Sequence, residues 1–203
     1  MDEINLRKYD KPLALVFGFL TLALILTLTN QEFLSWAFAR HQNLLSWAFA
    51  RHQNLLSWYI RPLFLIPFCY FAYKRSWAGI SITIFLLATS MFWFPEPAVV
   101  SPETVQFLQM EIDYLTSAWN PAKILITLLV PISLIILGAA FWKRNLFIGL
   151  SVIVLIAIGK VTWSVVFGGE SGTSLIAPAS LGLIICVVLI YFGVRRSRKH
   201  KKE

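Results

Sequence analysis

Charge is scarce in this chain. Charged residues make up 14% of its 203 positions, where a soluble globular domain carries about a quarter, so an ordinary water-facing domain is excluded. Acidic charge is scarcer still, with ten Asp and Glu against 18 Lys and Arg. Cysteine occurs twice, at Cys69 and Cys186, each inside an apolar run and with no CxxC spacing. Two small buried hydrophobes fit that pattern, and a disulfide framework does not. No histidine falls within a membrane-length run, which excludes bis-histidine haem ligation inside a bundle. His41 and His52 share a helical face but stand three turns apart, about 16 Å, too far for one ion. Zinc-binding helices use i and i+4 instead. Nucleophile-elbow, zinc-protease, phosphate-loop and dinucleotide signatures are missing as well. Gly169–Gly172 reads GESG but lacks a strand–turn–helix setting. No cofactor, metal or catalytic residue is assigned, and an enzyme is the less favoured class.

Apolar residues are what the chain has in abundance, at 58%. They fall in runs at 12–29, 59–73, 76–94, 123–142, 146–167 and 175–194, of the order needed to cross about 30 Å of hydrocarbon. The expected fold is all-α: one polytopic integral membrane bundle over 1–203 with six transmembrane helices. Two extracytoplasmic amphipathic helices, 31–58 and 101–118, accompany them. The first run is followed by LTLTNQEF, without a small-x-small cleavage pattern, and is read as a retained span. Pro62 and Pro67 should bend the second, and GGESGTS (168–174) should form an exposed loop.

Basic residues mark orientation. Placing the N-terminus in the cytoplasm puts Arg7, Lys8, Lys11, Lys74, Arg75, Lys143, Arg144 and six residues of the tail 195–203 on that side. Arg40, Arg51, Arg61 and Lys123 fall on the other. Both termini are therefore expected in the cytoplasm of a cell's inner (plasma) membrane. The tail reads as an anchor to anionic lipid. No aromatic–basic surface accompanies the charge, so nucleic acid is not an expected partner.

Two kinds of repetition are present. SWAFARHQNLL occupies 35–45 and recurs unchanged at 46–56. Eleven residues turn about 20° past three full helical turns, so a continuous helix would align Trp36, Trp47 and Trp58. With Trp93 and Trp119 these are expected at the membrane interface. A looser likeness links the second and third spans to the fourth and fifth. Pro62, Lys74-Arg75, Gly79 and Trp93 are echoed by Pro131, Lys143-Arg144, Gly149 and Trp163. Such hairpins would form parallel repeats about an axis along the membrane normal; a basic cytoplasmic turn on any hairpin would give part of the likeness without symmetry.

The central segment 92–121 carries the candidate site. Ser101-Pro102-Glu103 spells a helix start: an N-cap, proline at the first position and an acid at the positive dipole end. Asn120-Pro121 should stop it. Val105, Leu108, Ile112, Leu115 and Trp119 form the expected apolar face, opposite Gln106, Gln109, Asp113 and Thr116. Glu111 interrupts apolar neighbours. It either reaches water at the helix edge or meets a partner, because a carboxylate there must be paired or protonated. Lys160 is the lone charge well inside a span. It either snorkels outward or meets a carboxylate, with Glu111 first and Glu96 or Glu170 next. Glu96, held extended by Pro95 and Pro97, and Asp113 complete the candidates.

Three functions follow in order: an accessory or scaffold protein engaging a membrane-protein partner or its own copies through the outer helices, a small-solute transporter or channel, and an enzyme using outer carboxylates. The lipid bilayer is a partner in each. Deleting 46–56 should leave membrane insertion and folding intact, since the remaining copy joins Ser57 in the same register; loss of insertion in a membrane-fractionation assay would contradict this.

Overall fold

A computed structural model describes residues 6–29, 44–173 and 176–199. Among them the chain is mostly helical, with non-helical segments at 93–101 and 117–120, and contains no strand. A 3-10 turn, Leu6–Tyr9, leads into α1 (Asp10–Thr29). After it come α2 (Leu44–His52), α3 (Leu55–Leu63), α4 (Leu65–Lys74) and α5 (Trp77–Thr89). The 3-10 turn Ser90–Phe92 and α6 (Pro102–Thr116) lead to α7 (Pro121–Trp142), α8 (Leu146–Gly172) and α9 (Ile176–Lys199). Among the described residues, four helical stretches are long and apolar enough to cross a membrane: Leu55–Lys74, Pro121–Trp142, Leu146–Gly172 and Ile176–Arg196. Trp77–Phe92 is apolar but shorter. Large apolar side chains on α7, such as Leu125, Leu129 and Ile135, point out of the bundle at 62–68% exposure, as lipid-facing residues do.

The buried core joins α4, α7, α8 and α9 through Phe68, Cys69, Tyr73, Leu137, Phe141, Ile153, Cys186 and Ile190. Proline shapes its entrance. Pro62 and Pro67 have no N–H to give, and the helix breaks between them at Phe64. The Pro62 carbonyl then accepts from Cys186 Sγ at 3.1 Å.

The turns after α4 and α7 are built alike. Arg75 and Arg144 each take the left-handed conformation, at φ 59°, closing their helices with Schellman-type bonds. Ser76 then caps α5 by accepting from Gly79 N–H, and Asn145 caps α8 by accepting from Ile148 N–H. Across the pair, Arg75 Nε donates to the Trp142 carbonyl at 3.3 Å, while the Arg144 guanidinium lies 5.2 Å from the Tyr73 ring. Tyr73 precedes Arg75 by two residues, as Trp142 precedes Arg144, so the contacts are reciprocal. These turns define a basic end of the bundle.

Asp10 ties α1 to that end. Its carboxylate accepts from Ser76 Oγ at 2.7 Å, Trp77 N–H at 2.9 Å and Ala78 N–H at 3.1 Å, and so caps α5 from another helix. With Phe17 edge-on to Phe85 at 5.5 Å, α1 and α5 run side by side in the same direction.

Several expectations are corrected. Of the segment 31–58, residues 31–43 lie outside the described residues, with Trp36 and His41 among them. The rest is not one helix: α2 stops at His52, and Asn54 caps α3 by accepting from Leu56 N–H at 3.1 Å. Trp47 and Trp58 thus sit on different helices, and the alignment expected of a continuous rod is lost. Trp58 is 5% exposed, its Nε1 donating to the His52 carbonyl at 3.0 Å. The expected open loop at 168–174 is largely helix instead. α8 runs to Gly172 with a break at Gly169 (φ 56°), and Ser171 and Gly172 are buried. A Cβ at Gly172 would collide with the Ser164 carbonyl, so the chain packs back on its own helix there. Residues 174–175 lie outside the described residues, as do 200–203 of the tail.

Asp10 gives a direct test. Partial burial pushes its carboxyl up, but the bonds from Ser76, Trp77 and Ala78 outweigh it and hold its pKa below 3.8. A depressed folded pKa stabilises at higher pH, and the contribution is lost as pH falls through it. Asp10→Ala should cost about 1 kcal/mol at neutral pH, the usual size of a lost N-cap. In thermal unfolding at a series of pH values, the gap to wild type should close as pH drops below the ordinary carboxylate range.

Candidate functional site

Opposite the basic end, α2, α3, α6 and α8 bring four ionisable side chains together. His52 closes α2, and Arg61 stands one turn above the proline break of α3. Glu111 lies in the middle of α6, and Lys160 projects from α8. Lys160 Nζ is 3.2 Å from Glu111 Oε1, with the two side chains 48% and 20% exposed. The pair that apolar surroundings demanded of Glu111 is therefore formed, in preference to the water-reaching alternative.

The reason lies in how α6 docks. Thr104, Phe107 and Leu108 are almost fully buried, at 1–2% exposure, while Val105 is 46% exposed. The inward face thus follows 104, 107, 108 and 111 at helical spacing, and Glu111 is on it; this corrects the expected face that included Val105. Phe107 sets the rotation. Its ring meets Trp58 at 5.6 Å and Trp163 at 6.3 Å, and it packs against Gly168, where a Cβ would come within 3.0 Å of it. Tyr114 adds an edge contact to Trp163 at 5.7 Å. Lys160 Nζ lies 4.7 Å from the Trp163 ring centroid and 5.6 Å from that of Phe107, so its charge is flanked by aromatic faces as well as by the carboxylate.

His52 and Arg61 complete the cluster. His52 is 4% exposed. Burial, helped by the positive charges of Arg61 and Lys160, lowers its pKa to about 2, so the ring is neutral. Arg61 NH1 lies 2.9 Å from His52 Nε2. Guanidinium can only donate, so Nε2 accepts and the proton sits on Nδ1, which donates to Ser57 Oγ at 3.0 Å. Arg61 Nε also donates to Ser90 Oγ at 3.3 Å, and Glu111 lies within electrostatic reach of Arg61. The 3.9 Å approach of Glu111 Oε2 to His52 Nε2 is then a meeting of two acceptors beside Arg61, not an ion pair. Among the described residues no buried side-chain nitrogen or oxygen lacks a partner.

The other candidates stay apart. Asp113 is exposed and accepts from Gln109 Nε2 at 2.9 Å. Glu96 and Glu170 are exposed as well. The carboxylates are thus dispersed, and no group of three metal-ligating side chains occurs among the described residues. Trp47, Trp93 and Trp119 are 43–53% exposed. Trp47 stacks on Phe92 at 5.6 Å, and Arg51 beside it donates to the Phe92 carbonyl at 3.0 Å. Lys123, counted in the sequence only as an outer charge, is 5% exposed. Its Nζ donates to the Ser117 carbonyl at 2.7 Å and lies 4.4 Å from the Trp119 ring.

His52 and Arg61 were the members that sequence reasoning missed. A signal existed. Arg61 stands beside Pro62 at the mouth of a span, where a guanidinium needs partners as much as Lys160 does. Comparison with models of protein families, with curated proteins and with solved structures finds no match to this chain.

The cluster can be tested by a double-mutant cycle. Glu111→Gln or Lys160→Met alone should destabilise more than the pair together, with a coupling of about 1 kcal/mol, reduced from a buried value because Lys160 is half exposed. Additive losses in thermal unfolding would show that the two charges do not act as a pair.

Proposed function

We propose that this chain is an accessory or scaffold protein of the plasma membrane. In this reading it crosses the bilayer six times, α1 and α5 joining the four longer stretches. The basic end lies in the cytoplasm with both termini, and the outward surface of α6 engages a membrane-protein partner or a second copy. One observation carries the choice of class: the charges at the far end are spent on one another. Glu111 holds Lys160, Arg61 holds His52 and Ser90, and the aromatic contacts of Phe107 and Trp163 fasten α6 down. Together these contacts hold a surface helix against the bundle, which is the work of a presented docking element. That helix turns Glu103, Gln106, Gln109 and Asp113 outward, a polar face suited to directional contacts with another protein.

A small-solute transporter remains the second reading, favoured by the reciprocal contacts of Arg75 with Trp142 and of Arg144 with Tyr73. Residues i and j that exchange partners in this way are what a two-fold axis produces, and parallel repeats about the membrane normal occur in transporters. The third reading, an enzyme using outer carboxylates, rests on Glu96, Glu111 and Asp113, of which Glu96 and Asp113 are exposed.

Mass spectrometry of the protein extracted with its native lipid separates the readings. A stoichiometric membrane protein should accompany it, or a second copy of the chain, and the association should be lost with Glu103→Lys and Asp113→Lys together. A retained small molecule with no protein would overturn the scaffold reading in favour of transport.

A further inference from the structure

A groove of about 590 Å³ opens at the basic end, lined by Lys143, Arg144, Asn145, Leu146, Phe147, Leu150 and Tyr191. Its composition is divided. Lys143 and Arg144 stand at the turn between α7 and α8, and among the described residues no carboxylate lines the space. Tyr191, on α9, holds a third cation over the same rim, its hydroxyl accepting from Arg195 NH1 at 3.0 Å. Beyond the turn the lining becomes apolar, through Leu146, Phe147 and Leu150. Phe147 is 81% exposed, although it starts a helix that is long and apolar enough to span a bilayer.

We propose that this groove binds one anionic phospholipid. The headgroup phosphate lies among Lys143, Arg144 and Arg195, and an acyl chain runs along Phe147 and Leu150. Cations at the rim and hydrocarbon below match the order of groups along a phospholipid at the end of a transmembrane bundle. Basic pockets between helices at a membrane surface hold anionic headgroups by this charge complementarity. The exposed Phe147 separates a lipid from a soluble anion, which would have no use for it. The site lies at the opposite end of the bundle from Glu111 and does not depend on the scaffold reading.

The experiment uses the full chain in detergent, mixed with phosphatidylglycerol or phosphatidylcholine and followed by native mass spectrometry. One phosphatidylglycerol should be retained per protein and phosphatidylcholine should not. Lys143→Gln should weaken that retention about fivefold, the effect of one basic side chain near an anionic surface. Arg196→Gln, an equal loss of charge outside the groove lining, should leave it unchanged. Phe147→Ser should weaken it as well, with unfolding temperatures confirming that each variant is folded. Equal retention of the two lipids would overturn the proposal, as would equal effects of Lys143→Gln and Arg196→Gln. Displacement of the lipid by millimolar inorganic phosphate would overturn it too, by showing a site for free anion.

Discussion

The carboxylate of Glu111 has to be neutralised where it lies, on the inward face of a helix between Phe107 and Leu108 on one side and Ile112 on the other. Water reaches it only in part, and a carboxylate held among apolar groups costs several kcal/mol unless it finds a counter-charge. The far end of the bundle is arranged around that requirement. Lys160 answers it from α8, at a depth where a lysine would otherwise reach outward to water. Arg61 and neutral His52 fill the space behind it, each taking a hydrogen bond that would be lost if the other moved. Three separate stretches are thereby fixed to one point: the end of the duplicated unit, the mouth of the proline-broken span and the central surface helix.

The basic end follows a different principle. There the backbone does most of the fixing: two left-handed arginines, two side-chain caps and one cap donated by Asp10 from another helix. Lys74, Arg75, Lys143 and Arg144 are exposed there. Side-chain pairing thus fixes one end of the bundle and backbone capping the other.

Much of this was legible in the sequence. Helical class, apolar runs, the Ser101 cap and the proline break followed from periodicity and cap chemistry, and the cost of burying charge made Glu111 with Lys160 one of two alternatives, between which the tertiary contact decides. What stayed hidden depended on tertiary contacts. Periodicity put Val105 on the apolar face of α6, but Val105 lies outward; Phe107, wedged between two tryptophans and against Gly168, sets the rotation instead. The duplicated unit kept a perfect helical register, yet Asn54 ended the helix by capping the next one and Trp58 reached back to the His52 carbonyl. Arg61 and His52 looked like surface charge and a failed metal ligand until the fold placed them beside Glu111.

The most direct test is hydrogen exchange along α6 with the protein in lipid nanodiscs, wild type against Glu111→Gln. If the charge cluster holds this helix to the bundle, its amides are protected in the wild type. They should lose that protection in the variant, while the α4–α5 and α7–α8 turns at the basic end stay unchanged. Rapid exchange along α6 in the wild type, or equal protection in both proteins, would contradict the account of a surface helix fixed by Glu111.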